Sequence, residues 1–155
     1  MSTHSLIALR SGDTYQTIYC HWNGYPDYML KRLSENYNSW DRASQLISFG
    51  DASSIGPKLS PEGEHDFMHP EDGVCVFYHR DRKEDWISCR PICYVAKDLF
   101  KQNAPYIYVF ENGGWTVYPG GRDGRVPSPL QWAMQKYTET KQKAEEIKNE
   151  NTSAL

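Results

Sequence analysis

The chain lacks long hydrophobic runs. Among its 155 residues, the longest unbroken apolar runs are five residues long, at Val74–Tyr78, Ile92–Ala96 and Tyr106–Phe110. A helix that crosses a bilayer needs about 20 apolar residues. The polar start after Met1 also lacks the basic and apolar parts of a secretion signal. We therefore expect a cytoplasmic protein that does not bind membranes.

An excess of positive charge is also missing. The chain has 17 Lys and Arg against 20 Asp and Glu, which gives a formal net charge of −3. Proteins that coat nucleic acid use surplus positive charge to neutralise its phosphates, so we expect no direct nonspecific nucleic-acid binding. The length fits one domain with a single core.

The four cysteines lack a regular spacing. Cys20 and Cys75 lie in strand-like runs, and without an export signal we interpret the cysteines as buried thiols, with no disulfide. The alternative is a zinc site, because Cys89 and Cys93 stand four apart and histidines lie upstream. Pro91 interrupts that spacing, so we expect no metal and no cofactor.

Phosphate-binding motifs are absent as well. The chain contains neither G-x-x-x-x-G-K-[ST] nor a strand-linked G-x-G-x-x-G. Phosphate binding would instead need His79, Arg80 and Arg82, which follow an apolar run. Strand alternation would place Arg80 and Arg82 on one side and His79 on the other. The alternative is a solvated hairpin tip with balanced charges.

Periodicity and turn residues predict the secondary structure in chain order. In the first half we predict strands at 5–10 and 15–21, helices capped by Asp27 and Ser39, a helix end at Gly50 and a turn at 51–56. A long acidic loop follows at 57–73. In the second half we predict strands at 73–79 and 86–90, a helix at 91–103, a hairpin at 106–118 and a helix from 128. This ββ-αα-loop-β-α-ββ-α order predicts an α+β fold, with a mostly antiparallel sheet and helices packed on one side. Apolar periodicity ends at Tyr137, so we predict one domain at 1–137 and a solvated helical or disordered tail at 138–155.

Two segments combine polar and aromatic groups in accessible backbone. The first holds His21, Trp22, Asn23 and Tyr25 at the exit of a predicted strand, where binding residues often occur. The alternative makes Cys20 and Trp22 core residues, followed by an ordinary turn. The second segment holds Asp51, Ser53 and Ser54 in a turn whose amides and hydroxyls could bind a small polar ligand. Its alternative is a helix-ending turn.

A family resemblance rests on three motifs. They are Ser2-Thr-His-Ser5 with Ile7-Ala8, Tyr19-Cys-His-Trp-Asn-Gly-Tyr-Pro26, and Leu46-Ile-Ser-Phe-Gly-Asp51 with Ser53-Ser-Ile-Gly56. These motifs resemble a family of small uncharacterised bacteriophage and prophage proteins, over about the first 56 residues. Residues 77–82 and 106–118 match more loosely. The family usually carries Asp where this chain has Asn23. The resemblance implies a phage-encoded protein that works inside a bacterial host.

Three hypotheses for function remain. The first is a noncatalytic interaction protein that binds a host protein or complex, such as an inhibitor of a nuclease or of a nucleic-acid-guided defence complex. Its acidic loop, Glu62–Asp72, could imitate phosphates. The second is a binder of, or an enzyme acting on, a nucleotide-like ligand, which a concave pocket between segments 20–26 and 51–56 would favour. The third is a homodimer with an aromatic interface. Adjacent Cys20 and His21 point to opposite strand faces, which disfavours catalysis.

Overall fold

The computed structural model describes residues 3–123 and 125–153. Within them, seven strands form one mixed sheet: β1 Ser5–Ser11, β2 Thr14–Cys20, β3 Ala52–Ser54, β4 Val76–Phe77, β5 Ile92–Val95, β6 Tyr106–Glu111 and β7 Gly114–Tyr118. The helices in the same residues are α1 Pro26–Asn36, α2 Trp40–Ser48, α3 Tyr78–Arg82, α4 Trp86–Cys89, α5 Ala96–Leu99 and α6 Gln131–Ser153. The predicted α+β class is confirmed.

The sheet is mostly antiparallel, as predicted. Its strands follow the order β4-β3-β2-β1-β6-β7, and β5 pairs with the first half of β2. Among the seven strands of the described residues, only the pairs β1 with β6 and β2 with β3 run parallel. The predicted 106–118 hairpin is confirmed, because Asn112 and Gly113 both adopt the positive φ angles, 52° and 77°, that a tight two-residue turn requires.

The main core lies on one face of the sheet. Ile7, Ile18 and Tyr108 from the strands pack there against Leu33 of α1 and Leu46 of α2. Leu130, just before α6, joins this layer together with Met134 and Tyr137 of that helix. The opposite face carries a smaller cluster of Ala8, Tyr15, Leu99, Phe100, Ile107 and Val109. The large helices therefore share one side, as predicted, and short α5 adds a cover over part of the other side.

Several predicted elements were wrong at the local level. The first helix starts with Pro26 after Tyr25, so Asp27 lies in its first turn and does not cap it, whereas Ser39 caps α2 as predicted. The predicted turn 51–56 contains strand β3, and the predicted helix 91–103 opens with strand β5. Sheet pairing overrides local preference in both cases, because β3 and β5 each add to an edge of β2.

The predicted strand 73–79 shortens to Val76–Phe77, and α3 begins at Tyr78. The carboxylate of Asp81 accepts the N–H of Phe77 at 2.8 Å, which stabilises a helical turn there. The predicted strand 86–90 is the short helix α4. As a result, Arg80 and Arg82 lie on a helix, and the alternation expected from a strand does not apply to them.

The acidic loop 57–73 is anchored to α3 by a buried ionic cluster. The His65 side chain is 1% exposed, and its Nε2 lies 3.3 Å from Oδ2 of Asp81. Arg80 binds the same carboxylate through Nε at 2.8 Å and donates to the carbonyls of Leu59 and Cys75. Burial opposes ionisation of Asp81, but hydrogen bonds from Arg80 and Phe77 lower its pKa overall. The loop therefore has a defined attachment.

Helix α6 continues beyond the predicted domain boundary. Residues 138–150 are helical and exposed, and Ala154 and Leu155 lie outside the described residues. The solvated helical or disordered tail at 138–155 stays a prediction. The boundary at Tyr137 stays a prediction. No helix in the described part of the chain combines the length and apolarity needed to span a membrane.

Candidate functional site

The exit of β2 turns His21 and Trp22 outward while Cys20 points into the core. The N–H of His21 donates to the Ala52 carbonyl at 3.1 Å, and that of Trp22 donates to the Ser53 carbonyl at 3.0 Å. Cys20 is fully buried, and burial raises its pKa to about 12, which removes it as a nucleophile at neutral pH. Trp22 is 46% exposed, so the alternative that made it a core residue was wrong.

Trp22 is held by its neighbours although much of its ring is exposed. The His21 ring meets it edge to face, with centroids 4.7 Å apart. Nδ1 of His21 in turn hydrogen-bonds the Tyr19 hydroxyl at 2.8 Å. These contacts, together with the backbone bonds to β3, fix an aromatic and polar group at the open end of the strand.

Asp51 enters the same region after the left-handed stop at Gly50, whose φ is 81°. Its Oδ1 accepts the N–H of Tyr19 at 2.9 Å, and its backbone N–H donates to the Cys89 carbonyl at 2.7 Å. Burial raises the pKa of Asp51 to about 6; the Tyr19 N–H opposes this shift and the Glu84 charge adds to it. A carboxyl group that titrates near neutrality is more frequent at functional sites than elsewhere.

Helices α3 and α4 complete this surface. The N–H of Tyr78 donates to the Asp51 carbonyl at 3.2 Å, and the Tyr78 side chain hydrogen-bonds Ser53. His79 follows, with Nδ1 2.8 Å from the Glu84 carbonyl and its ring 5.1 Å from that of Trp86. We call this region the Asp51 surface and define it by His21, Trp22, Asp51, Tyr78, His79 and Trp86.

A separate groove lies on the other side of β3. It has a volume of about 470 Å³ and joins Asn23 with Ser54 and the following backbone, between α1 and the end of the acidic loop. The φ of Asn23 is 58°. Arg32 lines the groove, with its guanidinium 5.2 Å from the Tyr28 ring and a buried Nε that has no hydrogen-bond partner. We call it the Asn23 groove.

The structure therefore divides the predicted site residues between two regions. His21, Trp22, Asp51 and His79 share the Asp51 surface, and the buried Ser53 supports it from below. Asn23 and Ser54 line the Asn23 groove. Tyr25 lies at the start of α1 and is 41% exposed. Segments 21–25 and 51–54 therefore contribute side chains to two regions, which lie on opposite sides of β3.

The two predicted arginines occupy different environments. Arg80 is half-buried and donates to the Asp81 carboxylate and to two backbone carbonyls, so these donors are already occupied and not free for a phosphate. Arg82 remains at the surface, where it lies over the Phe67 ring at 4.7 Å and near Glu84. The cationic contribution to the site is consequently smaller than the sequence suggested.

Sequence reasoning missed Tyr19, Tyr78 and Trp86. Strand alternation could have identified Tyr19, because residues two apart on a strand share a face and His21 was already a candidate. Tyr78 and Trp86 gave no such signal, since their positions depend on helices α3 and α4, which replace the strands expected there.

The zinc site that was the alternative would use Cys89 and Cys93, and these two cysteines lie in different environments. Cys89 is buried and donates to the Asp85 carbonyl, whereas Cys93 is exposed on β5 and departs from the expectation of buried thiols. Across residues 3–123 and 125–150, no three His, Cys, Asp or Glu side chains gather closely enough to bind a metal ion. Comparison of the chain with protein-family models, curated proteins and solved structures finds no match.

Proposed function

We propose that this chain is a noncatalytic interaction protein that binds a partner protein through the Asp51 surface and the neighbouring Tyr25. The observation that carries the proposal is Trp22, which is 46% exposed yet held in place by His21 and by the backbone of β3. Large, rigid aromatic side chains with polar heads contribute much of the binding energy at protein interfaces. Trp86, which belongs to the same surface, and Tyr25, three residues after Trp22 in the sequence, are exposed aromatic side chains of the same kind.

The proposal also includes a phage origin and a partner from the bacterial host, and both of these parts rest on the sequence resemblance. A small phage protein that acts by contact needs a preformed surface and no active site, which agrees with the deep burial of Cys20. The natural partner class is a host protein or complex, such as a nuclease or a nucleic-acid-guided defence complex. Binding there would act by occlusion.

The acidic loop supports this proposal less than expected. The Glu71 carboxylate accepts the N–H groups of Glu62 and Gly63, and Asp66 accepts that of His69. Both carboxylates stay charged, because these hydrogen bonds lower their pKa values, but part of their hydrogen-bond accepting capacity is taken by the backbone of the loop itself. An aromatic contact surface is therefore favoured over phosphate mimicry as the principal mode of binding.

The test is affinity capture from host lysate with the wild-type chain and two alanine variants, read by mass spectrometry. We expect Trp22→Ala to lose the captured partner, because removal of an interface hot spot costs about 2 kcal/mol or more, a loss of roughly 30-fold. Trp132→Ala is the matched control, since Trp132 is 55% exposed on α6. Thermal melts should show both variants folded. Equal capture by the two variants would contradict the proposal.

The Asn23 groove supports a second candidate function, the binding of a nucleotide-like ligand. Its observation is Arg32, which lines a concavity that joins residues of segments 20–26 and 51–56 and whose guanidinium lies 5.2 Å from the Tyr28 ring. A guanidinium beside an aromatic ring suits a phosphate attached to a base. Titration with nucleoside mono- and diphosphates, followed by NMR, should shift the Asn23 and Ser54 amides in the wild type and not in Arg32→Gln. No shift at millimolar nucleotide would remove this candidate.

A further inference from the structure

Strand β5 leaves one edge without a partner. It pairs with β2 on one side, and no other strand in the described chain pairs with its outer side. Its side chains are also uncovered, since Ile92 is 53% and Val95 is 48% exposed. Folded proteins usually protect such edges with charge, bulges or covering segments, because a free edge accepts another strand.

The direction of each β5 backbone group follows from the register of β2. The two-residue turn at Gly12-Asp13 makes Ser11 and Thr14 the closing hydrogen-bonded pair. The backbone N–H and C=O groups of even-numbered β2 residues therefore point towards β1. Odd-numbered residues face the opposite way. The bonds from the N–H of Tyr19 to Asp51 and from that of His21 to Ala52 agree with this assignment.

The backbone N–H and C=O groups of Tyr94 and Ile92 in β5 therefore point towards β2, because these residues pair with the odd-numbered Tyr15 and Thr17. Cys93, which alternates with them, directs its N–H and C=O outward. Successive residues of a strand direct their backbone groups to alternate sides, so the residues on either side of Ile92 and Tyr94 supply the outer edge.

The outer edge holds a balanced set of backbone groups. Pro91 has no N–H and offers only its C=O. Cys93 offers both an N–H and a C=O. Val95 offers its N–H alone, because it is the N-cap of α5 and its carbonyl accepts the first bond of that helix. The edge thus presents two donors and two acceptors, placed symmetrically about Cys93.

We propose that β5 pairs antiparallel with β5 of a second copy of this chain, with the two-fold axis at Cys93. Cys93 of each copy exchanges both of its backbone hydrogen bonds with the other, and each Val95 N–H donates to the Pro91 carbonyl of the other copy. This register satisfies all outward groups of both edges. If the register between the two copies shifted by two residues, N–H groups of one copy would face the Val95 carbonyl of the other, which already accepts the first bond of α5.

Charge and area set the strength of this contact. Residues 91–95 carry no charge, so antiparallel pairing places no like charges opposite one another within the strand. The contact is limited to one short strand, whereas stable dimers usually bury about 1,200–2,000 Å². The dimer is therefore weak and concentration-dependent, and it forms independently of the partner proposed for the Asp51 surface.

Cross-linking through Cys93 with a short bismaleimide tests the register, because Cys20, Cys75 and Cys89 are buried and Cys93 is exposed. The wild type should form a covalent dimer whose yield rises with protein concentration. Val95→Pro removes an outward N–H, and the φ of −87° at this position lies close to the range that proline adopts. It should reduce the yield about tenfold, since two of four hydrogen bonds are lost. Val95→Ala keeps the N–H and should retain most of the yield.

Equal yields from Val95→Pro and the wild type would overturn the proposal, because random collision does not depend on that N–H. A second measurement covers a failure of Val95→Pro to fold. A nitroxide on Cys93 of the wild type should show strong dipolar broadening as concentration rises. A narrow spectrum and a monomeric mass at millimolar concentration would also overturn it. A monomer that accepts an added extended peptide at β5 would instead assign the edge to another protein.

Discussion

The partly buried carboxyl group of Asp51 should make the stability of the fold depend on pH. Its pKa rises from an ordinary 3.8 to about 6 in the folded protein, chiefly through burial. The folded state therefore binds this proton more tightly than the unfolded state does. Stability from this group is present at low pH and is lost as the pH rises from about 4 to 6. At neutral pH the ionised carboxylate makes the fold less stable than the protonated carboxyl would.

The size of that penalty follows from the shift. At roughly 1.36 kcal/mol per pKa unit, a rise from 3.8 to about 6 corresponds to about 3 kcal/mol. Solvent reaches part of the carboxylate and screens it, so we expect roughly 1–2 kcal/mol. Asp51→Asn keeps an oxygen that can accept the Tyr19 N–H and should recover this stability at pH 7.

Urea unfolding of the wild type and Asp51→Asn at pH 4, 5, 6 and 7 measures the effect. The difference between their unfolding free energies should grow with pH and level off above about 6, and taking the difference cancels the other titrating groups. Glu84→Gln should move this window to lower pH, because the Glu84 charge raises the pKa of Asp51. A difference that stays constant with pH would refute the reasoning.

Two further expectations concern the periphery of the fold. Truncation after Tyr137 should leave the melting temperature nearly unchanged, because residues 138–150 are exposed; loss of cooperative unfolding in calorimetry would show that the tail stabilises the domain. His65→Ala removes the buried ring that contacts Asp81 and holds the acidic loop. Limited proteolysis should then cut within 57–73 at least several-fold faster than in the wild type, and an unchanged rate would mean that the Glu71 contacts alone hold the loop.

Local signals predicted those parts of the fold that local interactions determine. The Asn112-Gly113 turn and the Ser39 cap follow from preferences of single residues, and both are confirmed. Strands β3 and β5 could not be predicted in the same way, because each exists through pairing with distant β2. The burial of Arg80 depends likewise on Asp81, whose inward direction comes from α3.

The candidate site shows the same division. Trp22 and His21 could be selected from sequence, because a strand exit rich in rings and polar heads is a frequent binding position. Their neighbours Tyr78 and Trp86 come from a segment whose secondary structure was wrong in the prediction. The split between the Asp51 surface and the Asn23 groove was also hidden, since only the placement of β3 separates Ser53 from Ser54.

Hydroxyl-radical footprinting of the protein alone and with its captured partner tests the central claim most directly, because Trp and Tyr rings report their own exposure. Binding through the Asp51 surface predicts strong protection of Trp22, Tyr25 and Trp86, with Trp132 and Trp40 oxidised equally in both states. Protection confined to the acidic loop or to α6, with Trp22 still fully reactive in the complex, would contradict the account.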